Sequence, residues 1–164
     1  GWHIPSDEEW IELEMYLGMS QIEAENPGWR GIDQGGKLKE QGTLHWNSPN
    51  EGATNESNFT ALPGAKRQHN TGYYNGIGDG GYFWSATNTP YNDNLSWYRE
   101  LNFSNSLVYR GTSIDIRGGL SIRCIKDEIL YVPGCTDPSS CNYSIEANID
   151  DGSWLYNDCM EVCG

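Results

Sequence analysis

The sequence predicts an α+β fold with short helices and an antiparallel meander, followed by a small C-terminal module stapled by disulfides and calcium. Three observations predict it. Helix-capping signals fall within residues 5–28, alternating strand patterns begin only after residue 81, and four of the five cysteines fall within residues 135–164.

The elements follow in chain order. Ser6 and Glu9 make a capping box with Pro5 just ahead of it, and Asp7, Glu8 and Glu9 favour the positive end of the helix dipole. Trp10, Leu13 and Leu17 recur on one face, which predicts a helix over 6–17 closed by Gly18. A second, shorter helix starts at Ser20 with Glu23 as its box partner and stops before Asn26-Pro27-Gly28. From 29 to 81 Asn, Gly, Ser and Pro recur with no sustained period, so loops are expected, with Ala61-Leu62-Pro63-Gly64 as a buried turn. Strands are predicted at 82–87, 96–103, 106–113 and 120–126. Trp97, Arg99, Leu101 and Phe103 share one face of the second. The last three, joined by Ser104-Asn105 and Gly118-Gly119, read as a meander. Val132-Pro133-Gly134 marks a boundary, giving domains at 1–131 and 132–164.

Composition narrows the function. Ten Lys and Arg face 23 Asp and Glu, a net charge of −13. A nucleic-acid partner needs a basic footprint, and docking on anionic lipid needs the same, so neither is expected. No run of 18 apolar residues is present, so no membrane insertion is expected, and no charged-then-apolar leader opens the sequence. Twenty Gly, seven Trp and ten Tyr make a turn-rich, aromatic chain rather than a disordered one.

The tail from Cys135 through Cys141, Cys159 and Cys163 has few apolar residues. A segment of ~30 residues holds together through disulfides or a metal rather than a core. Disulfides imply an oxidising compartment, so the expected location is extracellular or the cell surface. Zinc is the alternative, but the tail has no paired C-x-x-C knuckle and no His. The four cysteines allow three pairings, and Cys124 is left over. The tail also gathers hard oxygen donors at Asp137, Asn142, Asn148, Asp150 and Asp151, which suits calcium. The spacing is not that of an EF-hand; a plain acidic turn is the alternative.

Other motifs weigh less. Gly76-Ile77-Gly78-Asp79-Gly80-Gly81 satisfies G-x-G-x-x-G, but Tyr82-Phe83-Trp84 follows where a nucleotide site needs a helix, so it reads as a glycine turn feeding a strand. His3, His45 and His69 fit no catalytic motif, and no nucleophile elbow exists, so no catalytic residue is assigned and no enzyme is expected. Asn55, Asn58, Asn94, Asn102 and Asn142 are N-x-[ST] sequons. Tyr91, Asn92, Asp93, Asn94, Trp97 and Tyr98 form an aromatic, amide-rich stretch suited to a sugar or protein contact; a core Trp97 inside a loop is the plainer reading.

Three blocks carry a resemblance. They are Gly1-Trp2-His3-Ile4-Pro5-Ser6-Asp7-Glu8-Glu9-Trp10, then Ala53-Thr54-Asn55-Glu56-Ser57-Asn58-Phe59-Thr60-Ala61-Leu62-Pro63-Gly64, then Gly80-Gly81-Tyr82-Phe83-Trp84-Ser85-Ala86-Thr87 through Leu120-Ser121-Ile122-Arg123-Cys124-Ile125-Lys126-Asp127. Over 1–127 the chain resembles the Fibrobacter succinogenes major paralogous domain of secreted Bacteroidetes proteins. The resemblance implies a C-type-lectin-like fold akin to the formylglycine-generating enzyme, without that enzyme's paired active-site cysteines. The calcium–sugar motifs of true C-type lectins are also missing. The tail resembles a thrombospondin type 3-like repeat, which implies calcium and surface display; Trp154 stands where that family carries a Cys.

The resemblance also implies one or two strands ahead of Gly1, so an open border is expected beside 120–126. That border would be filled by residues 129–132 or by a segment from a neighbouring subunit. The expected function is a secreted or cell-surface structural and adhesive protein that assembles with itself into a calcium-stabilised fibre. The alternative is a ligand-binding adhesin or receptor with a lectin-like surface that meets glycans or other surface proteins.

Overall fold

The computed structural model describes residues 1–127 and 131–156. It is a mixed α+β structure, mostly sheet, with few short helices, and it divides into two compact units, Gly1–Lys126 and Asp127–Gly164. Among the described residues no helix is long and apolar enough to cross a membrane.

The capping signals do what their chemistry predicts. Helix α1 (Asp7–Tyr16) is capped by Ser6, whose hydroxyl accepts from the Glu9 amide while the Glu9 carboxylate accepts from the Ser6 amide. Helix α2 (Gln21–Glu25) is capped by Ser20, which accepts from the Glu23 amide. Strand β1 (Trp2–His3) precedes α1.

The region 29–81 is not all loop. It holds part of strand β2 (Gly28–Arg30), helix α3 (Gln34–Leu38), and strands β3 (Gly64–Arg67) and β4 (Tyr74–Ile77). Each is three to five residues, too short to display a period. Helix α3 carries Gly35-Gly36, poor helix formers held by packing. A Cβ on Gly35 would lie 2.1 Å from the Leu107 carbonyl oxygen, and one on Gly36 2.1 Å from that of Gly52.

Strands β5 (Gly80–Thr89), β6 (Asn92–Asn102) and β7 (Val108–Gly111) form the meander. The main sheet runs β2-β7-β6-β5-β3-β4. All neighbours are antiparallel except β3 and β5, which pair in parallel at Ala65 and Gly81. The glycine turn after β4 feeds β5 as expected; Gly76 and Gly78 have φ of 90° and 80°, which Gly adopts freely.

The segment 120–126 is not the meander's third strand. Ser121 lies parallel beside Phe83 and exchanges backbone hydrogen bonds with Tyr82 and Trp84. Strand β8 (Ile125–Lys126) pairs antiparallel with β1, His3 opposite Ile125. Residues 121 and 125–126, at the border expected to be open, thus pair with the chain's own β5 and β1. Of the alternative filler, 129–132, residues 129 and 130 lie outside the described residues.

One face of the sheet packs on α1. Trp10, Leu17, Leu38, Trp46, Ala61, Phe83, Leu101 and Val108 form the core, with Leu13, Phe59 and Phe103 against it. The opposite face carries Trp29, Tyr109, Tyr98 and Trp84, in successive ring contacts of 5.3, 5.8 and 6.3 Å across β2, β7, β6 and β5. In the second unit β9 (Pro133–Gly134) pairs in parallel with β10 (Ile149–Asp150).

Candidate functional site

The scaffold is set by charges buried in its core. Asp7 and Glu14 lie seven residues apart on the buried stripe of α1. Arg99 of β6 reaches both, with Nη1 at 2.6 Å from Asp7 Oδ1 and Nε at 2.7 Å from Glu14 Oε1. Arg110 of β7 donates to Asp7, and Arg30 of β2 donates to Glu14. All five are buried. Burial pushes the Asp7 carboxyl up, but the hydrogen bonds and charges of Arg110 and Arg99 overcome it and hold it below the usual range. Arg110 also stacks 3.7 Å from the Trp97 ring centre. A sixth charge, Lys39, is fully buried, and its ammonium donates to the carbonyls of Glu51, Asn102 and Asn105, each at 2.9 Å. Burial pulls its pKa down to about 8, opposed by Glu51. These contacts pin α1 and the loop 39–51 to the sheet, so the surface they support is rigid.

A cleft of about 410 Å³, lined by both polar and apolar surface, opens on the N-terminal unit. One wall is Lys66, Arg67, Gln68, His69 and Asn70, from β3 and the turn after it; the other is Leu95, Ser113, Ile114 and Asp115. The second wall is fixed by a bridge between Leu95 and Asp115, and by Ser113, whose hydroxyl lies 3.1 Å from that of Tyr98. Lys66 lies 4.6 Å over the Tyr82 ring. Asp115 accepts from the Arg117 guanidinium at 2.8 and 2.7 Å and from its backbone amide. Those bonds hold its carboxyl well below the usual carboxylate range. His69 lies 3.9 Å away, beyond hydrogen-bond reach. A carboxylate saturated this way is an ionic fixture that neither gives nor takes a proton near neutrality.

The stretch proposed from sequence as a ligand surface is divided by the fold. Asn92, Asp93 and Asn94 are exposed and Tyr91 is 95% exposed at the β5–β6 tip, next to the cleft through Leu95. Trp97 packs on Arg110 on the core side, and Tyr98 is buried on the opposite face. These two therefore belong to packing. The cleft's other wall was missed, because 66–70 carries no pattern and meets 113–115 only through the sheet.

The sequons also separate. Asn94 is exposed, as is Asn58. Asn55 exchanges two side-chain bonds with Thr60, and Asn102 accepts from the amide and hydroxyl of Ser104. Asn142 clips the second unit, donating to the Ser153 carbonyl and accepting from the Leu155 amide.

In that unit the proposed calcium ligands are engaged in hydrogen bonds, some within a turn and others to residues more than ten positions away. Asp137 accepts from Ser139 and, at 2.6 Å, from the Tyr156 hydroxyl; Asp150 accepts from Gly152 and Trp154; Asp151 accepts from Ser153; Asn148 accepts from Val132. Among the described residues no three His, Cys, Asp or Glu side chains gather into a metal-holding group. Cys135, expected in a bridge, is a buried free thiol whose nearest partner is the Asp137 carbonyl at 3.9 Å. The parallel contact of Cys135 with Tyr143 seats it inside the unit. Cys124 is an exposed free thiol, and Cys141 is disulfide-bonded. Cys159 and Cys163 lie outside the described residues.

No curated protein and no solved structure matches the chain. The family model of the Fibrobacter succinogenes major domain matches residues 1–126, the span of the N-terminal unit, and the chain belongs to that family.

Proposed function

We propose that this chain is an extracellular, non-catalytic adhesive protein whose N-terminal unit is a C-type-lectin-like binding module. The observation that carries the reading is the cleft between 66–70 and 113–115, in a unit whose sheet is held by buried ion pairs. Its size lies within the ~300–1,000 Å³ usual for small-ligand sites. Its hydroxyl, amide and imidazole groups suit a hydroxylated ligand, a glycan first of all. Self-assembly into a fibre is kept as a second reading, in which the contact between copies lies away from residues 121 and 125–126, since these pair with β5 and β1.

The C-terminal unit is read as a thrombospondin type 3-like display module. Residues 127–164 carry eight Asp and Glu and no Lys, Arg or His, and calcium would relieve that repulsion. The test of the binding reading is a glycan panel with the full chain and the cleft-filling variant Ser113→Trp, with Ile22→Ala on exposed α2 as control. Glycan binding lost in the first and kept in the second is expected. Binding unaffected by Ser113→Trp removes the cleft from the proposal.

A further inference from the structure

The cleft has a charge opposite to that of the molecule. Of the ten Lys and Arg, Arg30, Lys39, Arg99 and Arg110 are spent in the core. Of the six that remain, Lys66 and Arg67 line the cleft, together with His69, and Arg117 covers its single lining carboxylate, Asp115. Glu100 lies beside Lys66 and Tyr82 and Asp93 stands at the adjoining tip, but neither lines the cleft, whose lining sets Lys66 and Arg67 against one carboxylate paired with Arg117. A chain of net charge −13 therefore carries a local cationic cleft.

A neighbouring depression shares a wall residue with the cleft. A second depression of about 250 Å³ is lined by Gly64, Ala65, Arg67, Tyr74 and 119–121, so Arg67 is common to both. The Arg67 side chain is laid down by glycines. A Cβ on Gly119 would lie 3.1 Å from Arg67 Cβ, and one on Gly72 3.2 Å from Arg67 Nη2. Tyr74, 67% exposed, presents its ring in the second depression. Arg67 and Tyr74 are cross-strand partners, and an aromatic residue paired with an arginine is what a sugar carrying a carboxylate or sulfate needs. The pyranose face stacks on the ring, and the planar fork takes the anion with paired hydrogen bonds.

We propose that the two depressions form one continuous site for an acidic polysaccharide, crossing from the Ser113–Asp115 wall over Arg67 to Tyr74. This rests on the cleft being the binding site and adds the ligand's charge and length. The attraction is local, and repulsion from the rest of the molecule penalises polyanions that do not seat in the groove.

The test titrates the full chain with polygalacturonate, with its methyl-esterified form, which has the same backbone without the charge, and with dextran sulfate, each at low and moderate salt. Expected is binding of an acidic polymer at least tenfold tighter than of the esterified one and weakened by salt. Arg67→Gln should erase that preference, and Tyr74→Ala should weaken binding while leaving the preference. Arg67 is exposed, so an unchanged melting temperature shows that its variant folds. Equal binding of charged and esterified polymer overturns the charge inference and leaves the cleft reading standing. Binding of neither acidic polymer, with neutral glycans still lost on Ser113→Trp, does the same. Acidic-polymer binding indifferent to Arg67→Gln and Tyr74→Ala overturns the groove.

Discussion

Glu14→Gln is the sharpest test of what holds the binding unit rigid. Glu14 is fully buried and stands between two buried guanidinium groups, accepting from Arg99 Nε at 2.7 Å and from Arg30. The glutamine is nearly isosteric, so no cavity opens and packing is a minor contributor. What changes is charge. Five ionised side chains, three positive and two negative, become three positive and one negative with no water to screen them. The amide must also turn its own N–H toward one of the guanidinium donors. Breaking a buried pair by removing one partner costs about 3–5 kcal/mol, which is a large part of the ~5–15 kcal/mol that holds a domain. For a unit of this size that is roughly 10–20 °C in melting temperature. Urea unfolding followed by tryptophan fluorescence measures it. Adding Arg30→Gln to Glu14→Gln should recover part of the loss, since it removes a charge left unpaired. A Glu14→Gln midpoint within about 1 kcal/mol of the parent, or a double variant whose losses simply add, refutes the argument.

Further outcomes follow from the same geometry. Lys39→Met strips the donor from three buried carbonyls and should cost about 3 kcal/mol or more, read by urea unfolding; a neutral result means that water replaces the ammonium. Burial, with Glu100 beside it, lifts the Tyr82 phenol above its ordinary range, and burial lifts Tyr98 to about 12. Both folded values are raised, so their contribution to stability is whole below pH ~10 and is lost as pH rises through the folded values. Titration by phenolate absorbance should show Tyr82 and Tyr98 ionising late, together with alkaline unfolding. Thiol labelling with peptide mapping should mark Cys124 in the native protein and Cys135 only after denaturation; early labelling of Cys135 contradicts its burial. Millimolar calcium should raise the melting temperature of the full chain and a chelator lower it, and an indifferent melt removes calcium from the C-terminal unit.

Local chemistry was legible in the sequence where it acts over three or four residues. Ser6 and Ser20 start helices because a hydroxyl accepts an amide hydrogen three residues on, and no distant residue is needed for that. The glycine turn before β5 and the Trp97–Arg99–Leu101 face of β6 were readable for the same reason. The family likewise rests on contiguous blocks of sequence. Tertiary structure alone decided the rest. Asp7 reads as a dipole residue until Arg99 and Arg110, more than ninety positions away, close on it. Helix α3 exists because the Leu107 and Gly52 carbonyls approach its glycines. Residues 125–126 pair with β1 because the unit's two ends meet. The groove through Arg67 joins segments some fifty residues apart, each featureless by itself. Sequence records what a residue does to its neighbours along the chain. Which charges share a low-dielectric interior, and which loops share a cleft, is set by how the sheet is ordered in space.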